Sequence, residues 1–371
     1  MHGRPLALEA LAGQATSQPP VALFTWGFDY TWQVAGLAPW QLALGSQETW
    51  HQAYLALHLR HRPDLLFYEG AGSGPNEAEL LADERDRWVI RDGNTGHEYE
   101  MDKQSLALRG RDSGAKVCDP LGPIQSREDA RRLIPDPASW GDSYLGGLTR
   151  LISELGDRCL VLPHDSPGYI KACYAFGFEA AMMAMLYEPD LFTYACDRYA
   201  AGDELHMREL AQAGAEAVFI ADSWASADIL SPAMIERFAL PYQASITAAA
   251  HAAGLRVIMW NEGDLGPILP QEAAIPFDAF AFEQPRKGFS LSVAQVREVF
   301  GPQRCLFGNL DSEELLLRGS RTAIQHAVRE QISQSGEGNP FVLCFGSPLP
   351  SNVDPATVDL VIAAARDTCG L

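Results

Sequence analysis

The sequence contains no uninterrupted apolar stretch long enough to cross a bilayer. A transmembrane helix needs roughly 18 or more such residues, so no membrane span is predicted. The first residues, Met1-His-Gly-Arg-Pro5, also lack the basic region and apolar core of a secretory signal. We therefore expect a cytoplasmic protein with no membrane partner.

Positive charge is scarce: 28 Lys and Arg stand against 48 Asp and Glu, a formal net charge of −20. Nucleic acids and anionic membranes are bound by clustered Lys and Arg, so neither is an expected partner. The seven cysteines are scattered singly without a CxxC pair, which predicts free thiols in a reducing compartment. The absence of a P-loop, a GxGxxG loop and a GxSxG elbow argues against nucleotide binding and serine hydrolase chemistry.

The chain does contain eight short apolar segments, nearly all followed by helical spacing, at residues 21–25, 65–68, 159–163, 217–221, 256–260, 278–282, 304–307 and 341–345. Short apolar runs bounded by turn residues predict strands that are covered on both faces. Eight such strands alternating with helices predict a (β/α)8 TIM barrel, with a doubly wound open sheet as the alternative. No linker-like tract divides the chain, so we expect one domain over residues 1–371.

One region departs from this alternation. Two runs of alternating residues at 86–103 flank Asp92-Gly-Asn-Thr-Gly96, which is a hairpin signal. We predict an inserted antiparallel hairpin near 86–103, within a hairpin and lid insertion spanning 86–125.

Catalytic residues of parallel barrels follow the carboxyl ends of the strands. Glu69 and Glu262 are the predicted acid/base groups, and His164 is the one histidine at a predicted strand end. Arg286, with Lys287, is the predicted partner of a substrate carboxylate. The full set of substrate-binding candidates is Trp26, Tyr30, Asp222, Ser223, Trp224, Trp260, Asn261, Arg286 and Ser347.

Each candidate also has a structural interpretation. The charged groups are alternatively solvated rim residues, Asp222 and Ser223 are alternatively a helix cap, and the aromatic residues are alternatively packing residues.

Several of these strand ends resemble the uroporphyrinogen decarboxylase superfamily, which includes porphyrin decarboxylases and cobamide-dependent methyltransferases. The resemblance covers roughly residues 20–367. Its motifs are Asp222-Ser-Trp, the run from Ser231 to Tyr242, Phe307-Gly-Asn-Leu-Asp311, and Gly346-Ser-Pro-Leu-Pro with Asp354-Pro355. It implies a barrel with a deep cleft at the strand ends and a homodimer, and the 86–103 hairpin resembles the methyltransferase branch.

The departures from both branches affect the expected chemistry. Where the methyltransferases carry zinc ligands, this sequence has Trp260-Asn-Glu262-Gly and Ser347. Trp cannot ligate zinc, and Ser is a poor ligand beside Cys or His. Where the decarboxylases carry an Arg-rich loop, it has Thr25-Trp-Gly-Phe-Asp-Tyr30 without Arg. The resemblance implies that Glu69 and Ser223 match decarboxylase site residues and that Tyr174 is a weaker match. We therefore predict no metal and no cofactor.

Together these features predict a divergent uroporphyrinogen decarboxylase-like enzyme. It would act on a small polar or acidic metabolite by carboxylate acid/base chemistry, most simply a decarboxylation or a related lyase step. One alternative is a methyltransferase or demethylase that works with a corrinoid protein. Another is a barrel that binds a ligand without catalysis, because a fold does not guarantee activity.

Overall fold

The computed structural model describes residues 2–70, 72, 74–111, 122–286 and 288–367. Its strands, in chain order, are β1 Ala22–Leu23, β2 Leu65–Tyr68, β3 Glu79–Asp83, β4 Arg87–Arg91, β5 Glu98–Asp102, β6 Leu108–Gly110, β7 Leu160–Asp165, β8 Ala217–Asp222, β9 Arg256–Asn261, β10 Ala279–Phe282, β11 Cys305–Phe307 and β12 Phe341–Val342.

Eight of these strands form one parallel sheet in the order β1-β2-β7-β8-β9-β10-β11-β12. A parallel bridge between Val21 and Leu343 joins the last strand to the first. The Ala22 amide donates to the Leu343 carbonyl at 2.9 Å, and the Leu343 amide donates to the Pro20 carbonyl at 2.9 Å. The sheet is therefore a closed ring, and the predicted (β/α)8 barrel is confirmed.

Helices cover the outside of the ring. They are α1 Arg4–Leu11, α2 Thr31–Ala35, α3 Pro39–Ala43, α4 Gln47–His61, α5 Arg127–Leu133, α6 Asp142–Leu155, α7 Gly168–Phe176, α8 Phe178–Tyr187, α9 Pro189–Ala200, α10 Asp203–Gln212, α11 Pro232–Phe238, α12 Leu240–Ala252, α13 Leu269–Ala274, α14 Val293–Phe300, α15 Glu314–Arg318, α16 Arg321–Ser335 and α17 Pro355–Asp367. None of the helices in the described part of the chain is long and apolar enough to span a membrane.

Large aromatic rings fill the barrel interior. The ring of Phe24 lies 5.0 Å from that of Phe67, 5.3 Å from that of Phe219 and 5.4 Å from that of Trp260, measured between centroids. Side chains alternate between the two faces of a strand, so the neighbour of Trp260 on β9, Asn261, points outward to the helices. This alternation decides which strand-end residues reach the mouth.

The inserted segment forms a four-stranded antiparallel sheet, β3-β4-β5-β6. The predicted hairpin is its central pair, β4 and β5, and Asp92 begins the turn by accepting hydrogen bonds from the amides of Asn94 and Thr95. The antiparallel insertion is thus confirmed, with a further strand on each side. Residues 112–121 of the predicted lid lie outside the described residues.

Candidate active site

The centre of the mouth is a carboxyl–imidazole pair. Glu69 follows β2, and its Oε2 lies 3.7 Å from Nδ1 of His164 near the end of β7. The Glu69 side chain is 10% exposed, and its Oε1 has no hydrogen-bond partner among the described residues. Burial raises the pKa of Glu69 to about 8, although a hydrogen bond from the Gly27 amide opposes the shift. At neutral pH Glu69 is therefore a neutral acid.

A tyrosine that the sequence interpretation missed holds Glu69 in place. The Tyr54 hydroxyl, on α4, accepts a hydrogen bond from the Glu69 amide at 3.0 Å and donates to the Gly70 carbonyl at 3.1 Å. Tyr54 is buried, so both bonds are shielded from water. Its helical spacing indicated a core residue, and nothing local linked it to the strand end.

His164 is held against an aromatic ring. The indole of Trp26, from the segment after β1, meets the imidazole edge-on with centroids 4.7 Å apart. Burial lowers the pKa of His164, and the nearby Lys171 acts in the same direction, whereas Asp165 opposes it. His164 is therefore uncharged at neutral pH. The pair combines a neutral acid with a neutral base, which is an arrangement suited to moving a proton.

Behind His164, the adjacent Asp165 is ionised. Burial opposes its charge, but Lys171 at 2.7 Å and His206 at 3.6 Å outweigh it and hold the pKa of Asp165 at about 2. Asp165 and Lys171 thus neutralise each other in the wall behind the proton-transfer pair.

Two predicted substrate-binding residues lie outside the barrel wall. Asp222 and Asn261 are partners in the β8–β9 register, and both are fully buried. Gln243 on α12 donates to Asp222 at 2.9 Å, and Asn261 donates to Glu272 on α13. Burial raises the pKa of Asp222 to about 7 and that of Glu272 to about 8. The structure places both candidates against the helices rather than in the mouth.

Ser223 and Trp224, which follow Asp222 after β8, contact helix α7. Ser223 shares a side-chain hydrogen bond with Tyr174 on α7. The ring of Trp224 meets that of Tyr174 edge-on at 5.0 Å, and its carbonyl accepts a hydrogen bond from the Tyr169 hydroxyl at 3.1 Å. Tyr174 is 55% exposed, so this group forms a solvent-facing aromatic lip.

The strand ends of β9 and β10 supply a charged group. Glu283, the first residue after β10, pairs with Arg286 and also accepts a hydrogen bond from the Gly263 amide at 2.9 Å. Nη2 of Arg286 lies 3.9 Å from Oε2 of Glu262. Arg286 is therefore not a free cation. The sequence interpretation named Arg286 and missed Glu283, although Glu283 directly follows a predicted strand; Lys287 lies outside the described residues.

The remaining candidates have structural surroundings. Trp260 is part of the aromatic interior, and its indole N–H donates to the Gly346 carbonyl at 3.2 Å. Tyr30 is fully buried, with its hydroxyl 2.8 Å from Nε2 of His61 on α4. Ser347 follows the last strand and is buried, and its hydroxyl has no hydrogen-bond partner among the described residues.

The residues at the position of the zinc site in the methyltransferase branch do not fit that metal. Trp260 has no lone pair to offer, and its N–H is already bonded to the backbone. Cys344 is buried within the core. Across the described residues, no group of three or more His, Cys, Asp or Glu has the arrangement of a metal site.

A separate cleft of about 590 Å³ opens beside the loop after β10. It is lined by residues such as Pro285, Leu291, Asn309, Asp311 and Arg318. Glu69 and His164 are not among its lining residues, so it is distinct from the mouth.

Comparison with known proteins identifies a family and several relatives of this chain. The sequence profile of the family described as Uroporphyrinogen decarboxylase (URO-D) matches residues 121–368. The chain is 27% identical over 257 residues to the uroporphyrinogen decarboxylase of Chlorobaculum tepidum, covering 66% of this chain and 70% of the relative. It is 29% identical over 251 residues to that of Dichelobacter nodosus, with the same coverages. With the chloroplastic enzyme of Nicotiana tabacum it shares 26% over 234 residues, 61% of this chain and 56% of the relative.

A solved structure of a methyltransferase from Methanosarcina mazei superposes over 98% of both chains with a TM-score of 0.73. The sequences are 19% identical. This similarity supports the fold along the whole chain, including the part that precedes the family match.

Proposed function

We propose an acid–base enzyme function for this chain, starting from the premise that it belongs to the uroporphyrinogen decarboxylase (URO-D) family. The proposed reaction is a decarboxylation, or a related lyase step, of a small polar metabolite at the carboxyl ends of the barrel strands. The observation that carries the proposal is the largely enclosed Glu69–His164 pair, which presents a proton beside the indole of Trp26.

In the proposed step, protonated Glu69 donates its proton to the substrate carbon that bears the carboxylate. The bond between that carbon and the carboxylate carbon breaks, and carbon dioxide leaves. The substrate carbon keeps a proton in its place, and Glu69 becomes a carboxylate. His164, 3.7 Å away, then passes a proton from water to Glu69. The hydroxide that remains combines with the released carbon dioxide as bicarbonate, so the step balances without a cofactor.

The surroundings support a planar, electron-rich substrate. Trp26 packs against His164, and Trp224 with Tyr174 forms a second aromatic group after β8. Aromatic walls bind planar groups and exclude water, which keeps the Glu69 acid protonated. Ser223 and Ser347 are the hydroxyls proposed to orient the substrate, and Glu262 is the second carboxyl at the mouth.

The test is release of carbon dioxide from a panel of electron-rich aromatic acids, including pyrrole-2-carboxylate and indole-3-acetate, in deuterated water. We expect native protein to replace the carboxylate by deuterium, and we expect Glu69→Gln to reduce the rate by a factor of roughly 10² to 10⁴. Glu298→Gln, at an exposed carboxyl on α14, is the matched control. Equal rates for the Glu69 and Glu298 variants would remove Glu69 as the proton donor.

A corrinoid-linked methyl transfer is the second candidate, because a methyltransferase structure superposes over 98% of this chain. Demethylation of methylcobalamin by the purified protein, with no carbon dioxide from any acid, would favour it. Binding of panel acids without either reaction would instead indicate a ligand-binding barrel.

A further inference from the structure

The strongest feature that the proposed reaction leaves unused is the ion group at the ends of β9 and β10. The carboxylate of Glu283 contacts Nη2 of Arg286 through Oε1 and the Gly263 amide through Oε2. The Glu283 side chain is 1% exposed, whereas that of Arg286 is 34% exposed. A buried carboxylate therefore holds the guanidinium, while about a third of the Arg286 side chain stays open to solvent at the end of β10.

The backbone around Glu283 is fixed by two close approaches. Gly263 has φ +88°, and a Cβ there would lie 2.4 Å from Oγ of Ser226. A Cβ on Gly346 would lie 2.1 Å from the amide nitrogen of Gln284. Gly346 lets its loop pack against the backbone of Glu283 and Gln284, and Gly263 lets its loop approach the side chain of Ser226. The loops beside Glu283 are therefore closely packed.

Among the described residues in the first four positions after each barrel strand, Arg286 is the one cation. We propose that Glu283 determines the charge of the substrate: by neutralising Arg286 it restricts the site to molecules with no acidic group beyond the carboxylate that leaves. The reference to a leaving carboxylate rests on the proposed function.

The physical reason is competition for one guanidinium. A second substrate carboxylate would have to displace Glu283 from Arg286, and a buried carboxylate left without its partner is strongly unfavourable. The Nε–H of Arg286 is buried and has no partner among the described residues. A neutral molecule competes with neither member of the ion pair.

Neutralisation of Arg286 also suits decarboxylation. A free cation beside the leaving carboxylate would stabilise the substrate before reaction, and stabilising the ground state does not raise the rate of the chemical step. With Glu283 in place, the leaving carboxylate meets no net positive charge from Arg286.

The experiment measures binding, not turnover, with three planar probes: phthalate as a dianion, benzoate as a monoanion and benzamide as a neutral molecule. Titrations compare native protein, Glu283→Gln, and the double variant Glu283→Gln/Arg286→Gln, which again has no net charge in the pair. We expect Glu283→Gln to bind phthalate roughly tenfold more tightly than native protein, because it frees one charge-assisted donor. The double variant should bind phthalate as native protein does, and benzamide affinity should stay within twofold throughout.

Two results would overturn the inference: no gain in phthalate affinity for folded Glu283→Gln, or tighter phthalate binding by native protein than by the double variant. If circular dichroism shows that Glu283→Gln does not fold, the salt dependence of phthalate binding to native protein gives the same information. A neutralised Arg286 predicts an affinity that stays constant or rises with salt, and a falling affinity would show that Arg286 is a free anion site.

Failure of this inference and failure of the proposed function are distinguishable. Charge selection is decided by phthalate binding and needs no active enzyme. The proposed function is decided by the rates of Glu69→Gln and its control, which involve neither Glu283 nor Arg286.

Discussion

The sharpest stability prediction concerns Glu272, which is fully buried on α13 and bonded to Asn261 and Gln243. Burial, with a contribution from the charge of Asp222, raises its pKa from 4.5 to about 8. The native state therefore holds the Glu272 proton at pH values where the unfolded chain has already released it. This favours the native state below pH 4.5, and the benefit is lost as the pH rises to about 8.

The size of the change in unfolding free energy follows from the pKa shift of Glu272. Each factor of ten in an acid dissociation constant is worth about 1.36 kcal/mol, so one carboxyl moved from 4.5 to about 8 changes the free energy of unfolding by about 5 kcal/mol. Asp222 titrates together with Glu272, which spreads the change over both carboxyls. We therefore expect Glu272→Gln to remove about 3 to 5 kcal/mol of the pH-dependent loss.

The assay is urea unfolding of native protein and Glu272→Gln at intervals between pH 5 and pH 9. Gln has nearly the same shape as Glu but cannot ionise, so the difference in unfolding free energy should shift in favour of the variant as the pH rises. Glu236→Gln, at an exposed carboxyl on α11 that accepts a hydrogen bond from Gln271, is the control. Parallel pH curves for native protein and Glu272→Gln would refute the assigned burial of charge.

Three further predictions concern Glu69, Gly263 and Asp165. If protonated Glu69 is the proton donor, kcat/KM should fall as the pH rises through about 8, and a flat profile to pH 10 would contradict this. Gly263→Ala should lower the free energy of unfolding by about 1 to 3 kcal/mol through its positive φ and the contact with Ser226, whereas Gly266→Ala should cost less. Asp165→Asn should cost about 3 to 5 kcal/mol at pH 7 by leaving Lys171 unpaired. Because the pKa of Asp165 lies at about 2, that cost should diminish as the pH falls from 4 to 2, and an equal cost at pH 2 would contradict the pairing.

The arrangement of the barrel could be predicted because each strand has a local sequence pattern, a short apolar run followed by a turn. Each of the eight predicted segments overlaps a strand of the ring. The sequence pattern predicts two helices in the next region, at 169–187 and 189–213, whereas the structure has four, α7 to α10, and the break at Gly177 coincides with a positive φ. Those breaks depend on tertiary packing more than on apolar spacing, so the sequence interpretation joined helices that the structure separates.

It was harder to predict on which face of its strand each strand-end residue lies. β8 and β9 each continue one residue past the predicted end, so Asp222 and Asn261 belong to strands and alternate away from the mouth. The pairing of Arg286 with Glu283 depends on burial of Glu283 under a loop from another strand, which local spacing does not encode. Glu69 and His164 lie at the ends of neighbouring strands, so their contact follows from the strand order.

The bridge between Val21 and Leu343 affects how the chain folds during its synthesis. A chain still being synthesised has β1 in place long before β12 leaves the ribosome, so two bare sheet edges coexist until the end. Unpaired edges invite pairing with other chains. The nascent protein is therefore most vulnerable to aggregation just before its final strand arrives, and joining that strand removes both edges at once.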